Sequence, residues 1–239
     1  MHRRWIAATA AAVAVLFGGA GGPGAQAQPL RAVSAGVDPG DFVRHVTNPL
    51  LPFPPGMVLT YRGLKDGEVT HERLTVLHRT KRILGVTTTV VHDVTRHAGK
   101  LLEETEDWYA QDKHGNVWYF GEATTSYENG HANTEGSWEA GVHGAVPGVV
   151  MEADPHAPDA YRQELYRGHA EDMAWVLRRG GSLRVPFGTV RHILLTMEWS
   201  RLEPQVIDRK TYARGIGIVR EEGATGPPET LELVGVHRP

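Results

Sequence analysis

The sequence predicts an all-β or β-rich domain, built on a strongly curved antiparallel sheet that forms a half-barrel or a barrel. Two observations carry this prediction. Runs rich in threonine and valine recur along the chain, and turn signals containing glycine separate them. The spacing is about ten residues, which is typical of an antiparallel meander that curls on itself. We expect at most one or two helices beside the sheet.

The first 27 residues have the pattern of a cleavable export signal. Arg3 and Arg4 precede an apolar run over 6–17, and a small-residue stretch then ends in Ala25-Gln26-Ala27. The apolar run is shorter than the ~20 residues that a membrane span needs. We therefore expect cleavage after Ala27, no transmembrane span in the mature chain, and a secreted or periplasmic location. Both the general and the twin-arginine export routes fit this pattern.

Composition narrows the classes of function. The mature chain has 239 − 27 = 212 residues, enough for one domain with a sizeable core. It keeps 25 − 2 = 23 basic and 28 acidic residues, a net charge of −5, and it has no basic run. Nucleic acid is therefore not an expected partner. The absence of cysteine excludes disulfides, thiolate catalysis and cysteine-based metal sites.

Three segments follow from the distribution of proline and glycine. Residues 1–27 are the expected export signal, and 28–56 form an extended arm, because the stretch "NPLLPFPPG" (48–56) cannot be regular structure. Leu50, Leu51 and Phe53 suggest that this arm lies across the body of the protein. Residues 57–239 are expected to form a single β-rich domain.

The strands are predicted from alternation and turn residues. They cover 58–64, 68–79, 86–96, 101–111, 117–127, 182–185, 190–200, 206–213, 216–221 and 230–236. The segment 160–177 is ambiguous. Asp159 could cap a helix there, but Gly168 interrupts it, and the alternation fits bulged strands equally well.

The stretch "EDWYAQDKHGNVWYFGE" (106–122) predicts a hairpin with an aromatic and acidic face. A three-residue loop at 113–115 has Gly115 in the left-handed position that such loops need. This loop sets Ala110 opposite Trp118, Trp108 opposite Phe120, and Glu106 opposite Glu122. Side chains alternate along a strand, so these six share one face while Tyr109 and Tyr119 point to the other.

The preceding hairpin adds further polar residues to that face. A loop at 97–99 sets His92 opposite Glu104 and Val90 opposite Glu106. In this register His92, Glu104, Glu106 and Glu122 gather beside the aromatic rings. A one-residue bulge in either hairpin would scatter the set.

Carboxylates opposite one another on an apolar face are destabilising unless something compensates them. Arginines such as Arg73, Arg201 or Arg209 could pair with them, or two acids could share a proton. A divalent cation could instead lie between His92 and the glutamates, with Glu104 as a ligand. The acids could also simply reach water at a barrel rim. Glu198 could add one more acid. These alternatives remain open at this point, and no cofactor other than a divalent cation is indicated.

Four stretches of the sequence resemble a family of exported bacterial proteins of unknown function. They are "LLEETEDWYAQDKHGNVWYFGE" (101–122), "GSWEAGVHGAVPGVVM" (136–151), "YRQELYRGHAEDMAWV" (161–176) and "YARGIGIVREE" (212–222). The family is similar in outline to LolA-like half-barrel sheet proteins with an apolar concave surface. The resemblance implies a fold and a sharp bend at Gly215 and Gly217, and it implies no activity.

We therefore expect an exported binding or scaffolding module whose concave face accepts an apolar or amphiphilic small ligand. The candidate ligand-binding residues are Trp108, Trp118, Phe120, Glu106, Glu122 and Glu198. The alternative is a hydrolase or lyase that uses paired carboxylates in the same pocket, with or without a divalent metal. An enzyme is the less favoured interpretation, because HExxH, GxSxG and phosphate-loop motifs are all absent. No protein partner is indicated.

Overall fold

The computed structural model describes residues 37–65, 67–128, 130–225 and 229–239. The expected export signal lies outside these residues, as does the start of the arm. Within them the regular structure is almost entirely β. The described residues contain one 3-10 helix, Pro39–Asp41, and no α-helix. The predicted all-β class, with its curved antiparallel sheet, is confirmed.

Eighteen strands are present among the described residues. In chain order they are β1 (Phe42–Val43), β2 (Val58–Lys65), β3 (Glu68–Ile83), β4 (Val86–His97), β5 (Lys100–Asp112), β6 (Val117–Glu128), β7 (His131–Asn133), β8 (Trp138–Glu139), β9 (Val146–Met151), β10 (Ala160–Arg162), β11 (Glu164–Leu165), β12 (Asp172–Arg179), β13 (Ser182–Val185), β14 (Gly188–Arg191), β15 (Ile193–Ser200), β16 (Ile207–Ala213), β17 (Gly217–Gly223) and β18 (Thr230–His237).

Thirteen of these strands form a nearly closed antiparallel barrel. Their order is β10-β12-β15-β16-β17-β18-β2-β3-β4-β5-β6-β9-β11, and β13 and β14 form a separate hairpin. One short segment joins the two ends of the sheet, because β10 pairs with β12 while β11, only two residues later, pairs with β9. The ambiguous segment 160–177 therefore contains β10, β11 and most of β12 rather than a helix, and a bulge lies between Val176 and Arg178.

The sequence explains why these segments form a curved sheet. The central strand β4 reads VTTTVVHDVT, and β-branched residues of this kind pack well on a pleated surface. Bulges interrupt the ladders between β3 and β4, β4 and β5, and β5 and β6. Each bulge increases the local twist, so the sheet bends round towards closure.

The segment before β2 packs against one end of the barrel. Leu50, Leu51 and Phe53 are buried in the core. The Asn48 side chain donates hydrogen bonds to the carbonyl oxygens of Gly115 and Glu152 (2.9 and 3.0 Å). These contacts fix residues 48–53 over the barrel interior, where Phe53 reaches the pocket described below. No helix among the described residues is long and apolar enough to cross a membrane.

Candidate functional site

A pocket opens into the barrel interior. Its volume is about 60 Å³. Its lining comes from the arm, from strands β2, β3, β4, β5, β16 and β17, and from β9 and the β10–β11 segment. The lining residues are Leu51, Phe53, Leu59, Tyr61, Glu72, Leu74, Asp93, Asp107, Tyr109, Val150, Gln163, Lys210, Tyr212, Gly217, Ile218 and Glu221. A cavity of this size holds a few water molecules or one small polar group, since benzene needs about 150 Å³.

Three adjacent strands place a carboxyl group each on the pocket wall. Glu72 belongs to β3, Asp93 to β4 and Asp107 to β5, and all three side chains are buried. Asp93 lies opposite Leu74 of β3 and Thr105 of β5, so these residues share one face of the sheet. Glu72 and Asp107 are each two residues away from them along the strand and therefore lie on that same face. The curvature of the sheet turns this face inward, so the three acids converge on one space.

Glu72 and Asp93 interact directly. Burial raises the pKa of each carboxyl well above its ordinary value, and the negative charge of the other acid raises the pKa of Glu72 further. The two groups are therefore expected to hold at least one proton between them near neutral pH. Within the described part of the chain, the Oδ1 atom of Asp93 is buried without a hydrogen-bond partner.

Asp107 is the second acidic element of the pocket. Its Oδ1 accepts a hydrogen bond from the Tyr119 hydroxyl at 2.6 Å. Burial raises the pKa of Asp107 to about 7, although the hydrogen bond from Tyr119 opposes this shift. The Tyr119 ring stacks on Tyr109 with centroids 5.0 Å apart, which holds both rings beside the carboxyl group. Asp107 can thus gain or lose a proton in the neutral range.

Lys210 is the only basic side chain among the described residues that line the pocket. Its Nζ lies 3.1 Å from Oε2 of Glu198 and 4.0 Å from Oε1 of Glu221. Oε1 of Glu198 also accepts hydrogen bonds from the hydroxyls of Thr196 and Tyr212. The Lys210 ammonium is therefore held on the β15–β17 side of the pocket by its own carboxylates.

Apolar and aromatic side chains form the rest of the lining. The Phe53 ring contacts Tyr109 at a centroid distance of 4.8 Å. Leu74 and Ile218 are only partly buried, whereas Glu72 and Asp93 are buried. The pocket thus combines apolar side chains that reach solvent with carboxyl groups that do not.

The predicted register of the 106–122 hairpin is correct near its loop and wrong beyond it. Ala110 lies opposite Trp118 as expected, but Asp107 rather than Glu106 lies opposite Glu122. The cause is a bulge at Gly121, whose φ of 122° and close approach to the Trp138 carbonyl oxygen exclude a side chain. The bulge turns Glu122 inward, and Glu106 instead pairs with Arg79 on the opposite face.

The same shift decides where the predicted aromatic residues lie. Alternation puts Trp108 on the opposite side of β5 from Asp107 and Tyr109. The Lys81 ammonium covers the Trp108 ring at 3.3 Å. The sequence predicted that Trp108 faces the barrel interior and Tyr109 faces outward. This prediction is wrong, because Tyr109 lines the pocket.

Trp118 and Phe120 lie on the same face of the sheet as Trp108, and the three residues form what we call the outer aromatic cluster. The Phe42 ring of β1 makes edge contacts with both, at centroid distances of 5.5 and 6.0 Å. Phe120 is fully buried, and Trp118 is partly buried with its indole N–H donating to Asp112. The structure therefore places the predicted aromatic cluster under the N-terminal segment, away from the interior pocket.

The predicted metal ligands are not brought together as a set. The predicted register of their hairpin is wrong, because His92 lies opposite Glu106 and Val90 lies opposite Trp108. The His92 and Glu104 side chains still meet, with Nε2 2.8 Å from Oε1. Glu106 is engaged by Arg79 beside them, and Glu122 lies on the other side of the sheet. Residues 37–65, 67–128, 130–225 and 229–239 contain no group of three or more side chains suited to hold a metal.

Glu122 belongs to a second group of interior acids, with Glu164 and Asp172 at the seam of the barrel. Burial raises the pKa of Glu122, and the charges of Asp107 and Glu164 raise it further. Both carboxyl oxygens of Glu122 are buried without a hydrogen-bond partner in the described residues. The interior is thus more acidic than the predicted hairpin face, and its acids come from strands far apart in sequence.

Sequence reasoning missed most of the pocket. Glu72, Asp93, Lys210 and Tyr212 lie in predicted strands, but nothing local distinguishes them from ordinary surface residues. Gly121 is the residue from which the bulge in β6 could have been predicted, because a glycine inside a strand often marks a bulge. Glu198 was identified as an additional acid, and it lies directly behind Lys210.

Comparison with known proteins gives the following. No protein-family model matches this chain, and no curated protein matches it significantly. A solved structure from Bacteroides fragilis, assigned as an exported protein with a YmcC-like fold, aligns with a TM-score of 0.47 at 16% identity, over 79% of this chain and 99% of its own. A Parabacteroides distasonis protein, assigned as a lipoprotein, aligns with a TM-score of 0.45 at 12% identity, over 79% and 98%.

Proposed function

We propose that this chain is an exported binding module that holds a small amphiphilic ligand in the pocket inside its barrel. One observation carries the proposal: a single pocket combines partly exposed apolar side chains, such as Leu74 and Ile218, with buried carboxyl groups such as Asp93. Ligand sites are typically lined by apolar and aromatic side chains with a few convergent polar groups. A ligand with one apolar and one polar end matches this lining.

The buried acids are difficult to explain as part of a structural core. A carboxyl group in an apolar interior destabilises the fold by several kcal/mol unless it is paired or protonated. Glu72, Asp93 and Asp107 lie on one wall of the pocket, while Lys210 is held on the other. Residues that reduce stability at a concave site are typical of function, because binding sites trade stability for recognition.

The structure does not bring together the residues on which the enzyme alternative depended. It required Glu106 and Glu122 to face a substrate together, and the bulge at Gly121 puts them on opposite faces. The interior pair Glu72 and Asp93 is a different arrangement, and both groups are buried. Binding is therefore the better supported function.

Calorimetric titration with three eight-carbon amphiphiles tests the proposal. The probes are octylamine, 1-octanol and octanoate, which share an apolar chain and differ in the charge of the head group. We expect at least one of them to bind the wild-type protein at one molecule per chain. Leu74→Trp should abolish that binding because the larger side chain fills the pocket.

Leu64→Trp is the matched control, since Leu64 is 54% exposed and lies outside the pocket. It should leave binding unchanged. If Leu74→Trp fails to fold, as judged by its melting curve, Ile218→Trp replaces it. Failure of all three probes to bind, or equal binding to both tryptophan variants, would contradict a ligand site at this position.

A further inference from the structure

From the charges inside the barrel we infer that the polar end of the ligand is a small organic cation, a primary ammonium group held by Asp93, Glu72 and Asp107. This inference rests on the proposed binding function and specifies the chemical class of its ligand. It follows from the charge, the hydrogen-bonding capacity, the aromatic lining and the size of the pocket.

The charge balance of the pocket favours a cation. Four carboxyl groups line it, from Glu72, Asp93, Asp107 and Glu221, against the single ammonium of Lys210. Lys210 lies within 4.0 Å of both Glu198 and Glu221, so its charge is already matched by two acids. The remaining three acids face the space without a basic side chain among the described lining residues. An anionic head group would be repelled there, and a cation would be attracted.

Asp93, which lines the pocket, has a carboxyl oxygen without a hydrogen-bond donor among the described residues. Asp93 is 5% exposed, and its Oδ1 has no hydrogen-bond partner in the described chain. A buried acceptor of this kind loses its bonds to water on folding and regains that energy when a donor binds. An ammonium group carries three donors and no acceptor. It therefore complements a wall that presents acceptors from three acids.

Aromatic rings and pocket size add to this selectivity. Tyr61, Tyr109 and Tyr212 line the pocket together with Phe53. Cations are attracted to the faces of such rings, more strongly where water is excluded. The pocket volume of about 60 Å³ accommodates an ammonium group and is too small for a bulky head group. The alkyl chain would then lie along Leu74 and Ile218, the lining residues that reach solvent.

An organic cation fits better than a metal ion. A divalent metal needs several oxygen or nitrogen ligands at short, defined distances. The described residues contain no such group of three or more, in the pocket or elsewhere. Hydrogen bonds to an ammonium group tolerate a wider range of distances, and the pocket supplies acceptors on several strands.

Binding of a cation should release protons. Burial raises the pKa of Glu72, Asp93 and Asp107, so these acids keep their protons to a higher pH than exposed acids do when the pocket holds no cation. A bound ammonium stabilises the ionised carboxylates and lowers those pKa values. The other titratable and charged groups that act on this space or line it are Tyr61, His92, Glu103, Glu106, Tyr109, Tyr119, Glu122, Lys210, Tyr212 and Glu221.

The test compares octylamine, 1-octanol and octanoate by calorimetry near pH 7 in phosphate and in MOPS, whose ionisation enthalpies differ. Octylamine is expected to bind at least about tenfold more tightly than either of the other two. Its apparent binding heat should change with the buffer, since binding releases protons. Asp93→Asn should weaken octylamine binding by about tenfold or more, because it removes a negative charge and keeps the shape.

Asp41→Asn is the matched control, since it makes the same chemical change at an exposed residue of the 3-10 helix. It should leave octylamine binding unchanged. Equal binding of the three probes would overturn the cation assignment and leave the binding function standing, and binding of none would overturn both. If the proton release or the Asp93→Asn effect is missing while octylamine binds, the amine is held elsewhere. Tighter binding of Ca²⁺ or Mg²⁺ than of octylamine would replace the organic cation by a metal.

Discussion

Raising the pH from about 5 to about 8 is expected to destabilise the protein when its pocket holds no cation. Asp107 is the clearest contributor, because burial raises its pKa from 3.8 to about 7. Between those two values the folded protein keeps a proton that the unfolded chain releases. Each pH unit in that interval therefore lowers the free energy of unfolding by about 1.4 kcal/mol.

The expected loss from Asp107 alone is about 2 kcal/mol between pH 5 and pH 7. This corresponds to a fall in melting temperature on the order of 10 °C for a chain of this size. Glu72, Asp93 and Glu122 act in the same direction, since burial also raises their pKa values. Their contribution to stability is complete at acidic pH and is lost as the pH rises through the folded-state pKa values.

Thermal unfolding followed by circular dichroism across this pH range checks the prediction. Asp107→Asn should flatten the dependence by the share due to Asp107 and should raise the melting temperature at pH 8. Asn can still accept the hydrogen bond from Tyr119, so the fold is kept. A melting temperature that rises or stays level from pH 5 to pH 8 would contradict a buried protonated acid in this interior.

Replacing Gly121 by alanine is expected to give the second large effect, a loss of about 3 to 5 kcal/mol in the free energy of unfolding. Gly121 has a φ of 122°, which disfavours any side chain. A Cβ atom there would also overlap the backbone carbonyl oxygen of Trp138 on β8. Relieving the overlap would require removal of the bulge or separation of β6 from β8. Urea unfolding of the purified variant measures this loss.

Gly99→Ala separates the two causes. Gly99 has a φ of 78°, also in the left-handed region, but a Cβ atom there would meet no other atom within 4 Å. Its replacement should therefore cost only about 1 kcal/mol, the backbone contribution alone. Losses of equal size at the two positions would show that the bulge does not bring β6 and β8 into close contact.

The fold was largely predictable from local sequence. Density of β-branched residues and regular turns predicted the strands, and the 113–115 loop predicted the pairing of Ala110 with Trp118. The predicted residue pairing between β4 and β5 was wrong because of two local features. The β4–β5 turn uses Ala98 and Gly99, which sets His97 opposite Lys100, and the ladder then shifts by one residue at Thr95. Such irregularities depend on tertiary fit as well as on local preference.

The site was less predictable for a related reason. Asp93, Asp107 and Lys210 come from strands separated by up to 117 residues, and only the curvature of the sheet brings them to one pocket. Alternation predicts which residues share a face, but one bulge reverses the two faces for the rest of a strand. Glu122 was separated from Glu106 in this way, and the functional candidates moved from the outer aromatic cluster to the interior.

Titration of the side-chain carboxyl carbons by ¹³C NMR tests the central claim most directly, namely that the buried acids of the pocket hold a cation. Spectra are recorded across the pH range with and without saturating octylamine, and Asp107→Asn assigns the Asp107 signal. Without the amine, Asp107 is expected to titrate near pH 7, and with the amine its midpoint should fall by at least about one unit. Exposed acids such as Asp41 should not move. An Asp107 midpoint that stays the same with octylamine, or that lies near its ordinary value without it, would contradict this account of the pocket.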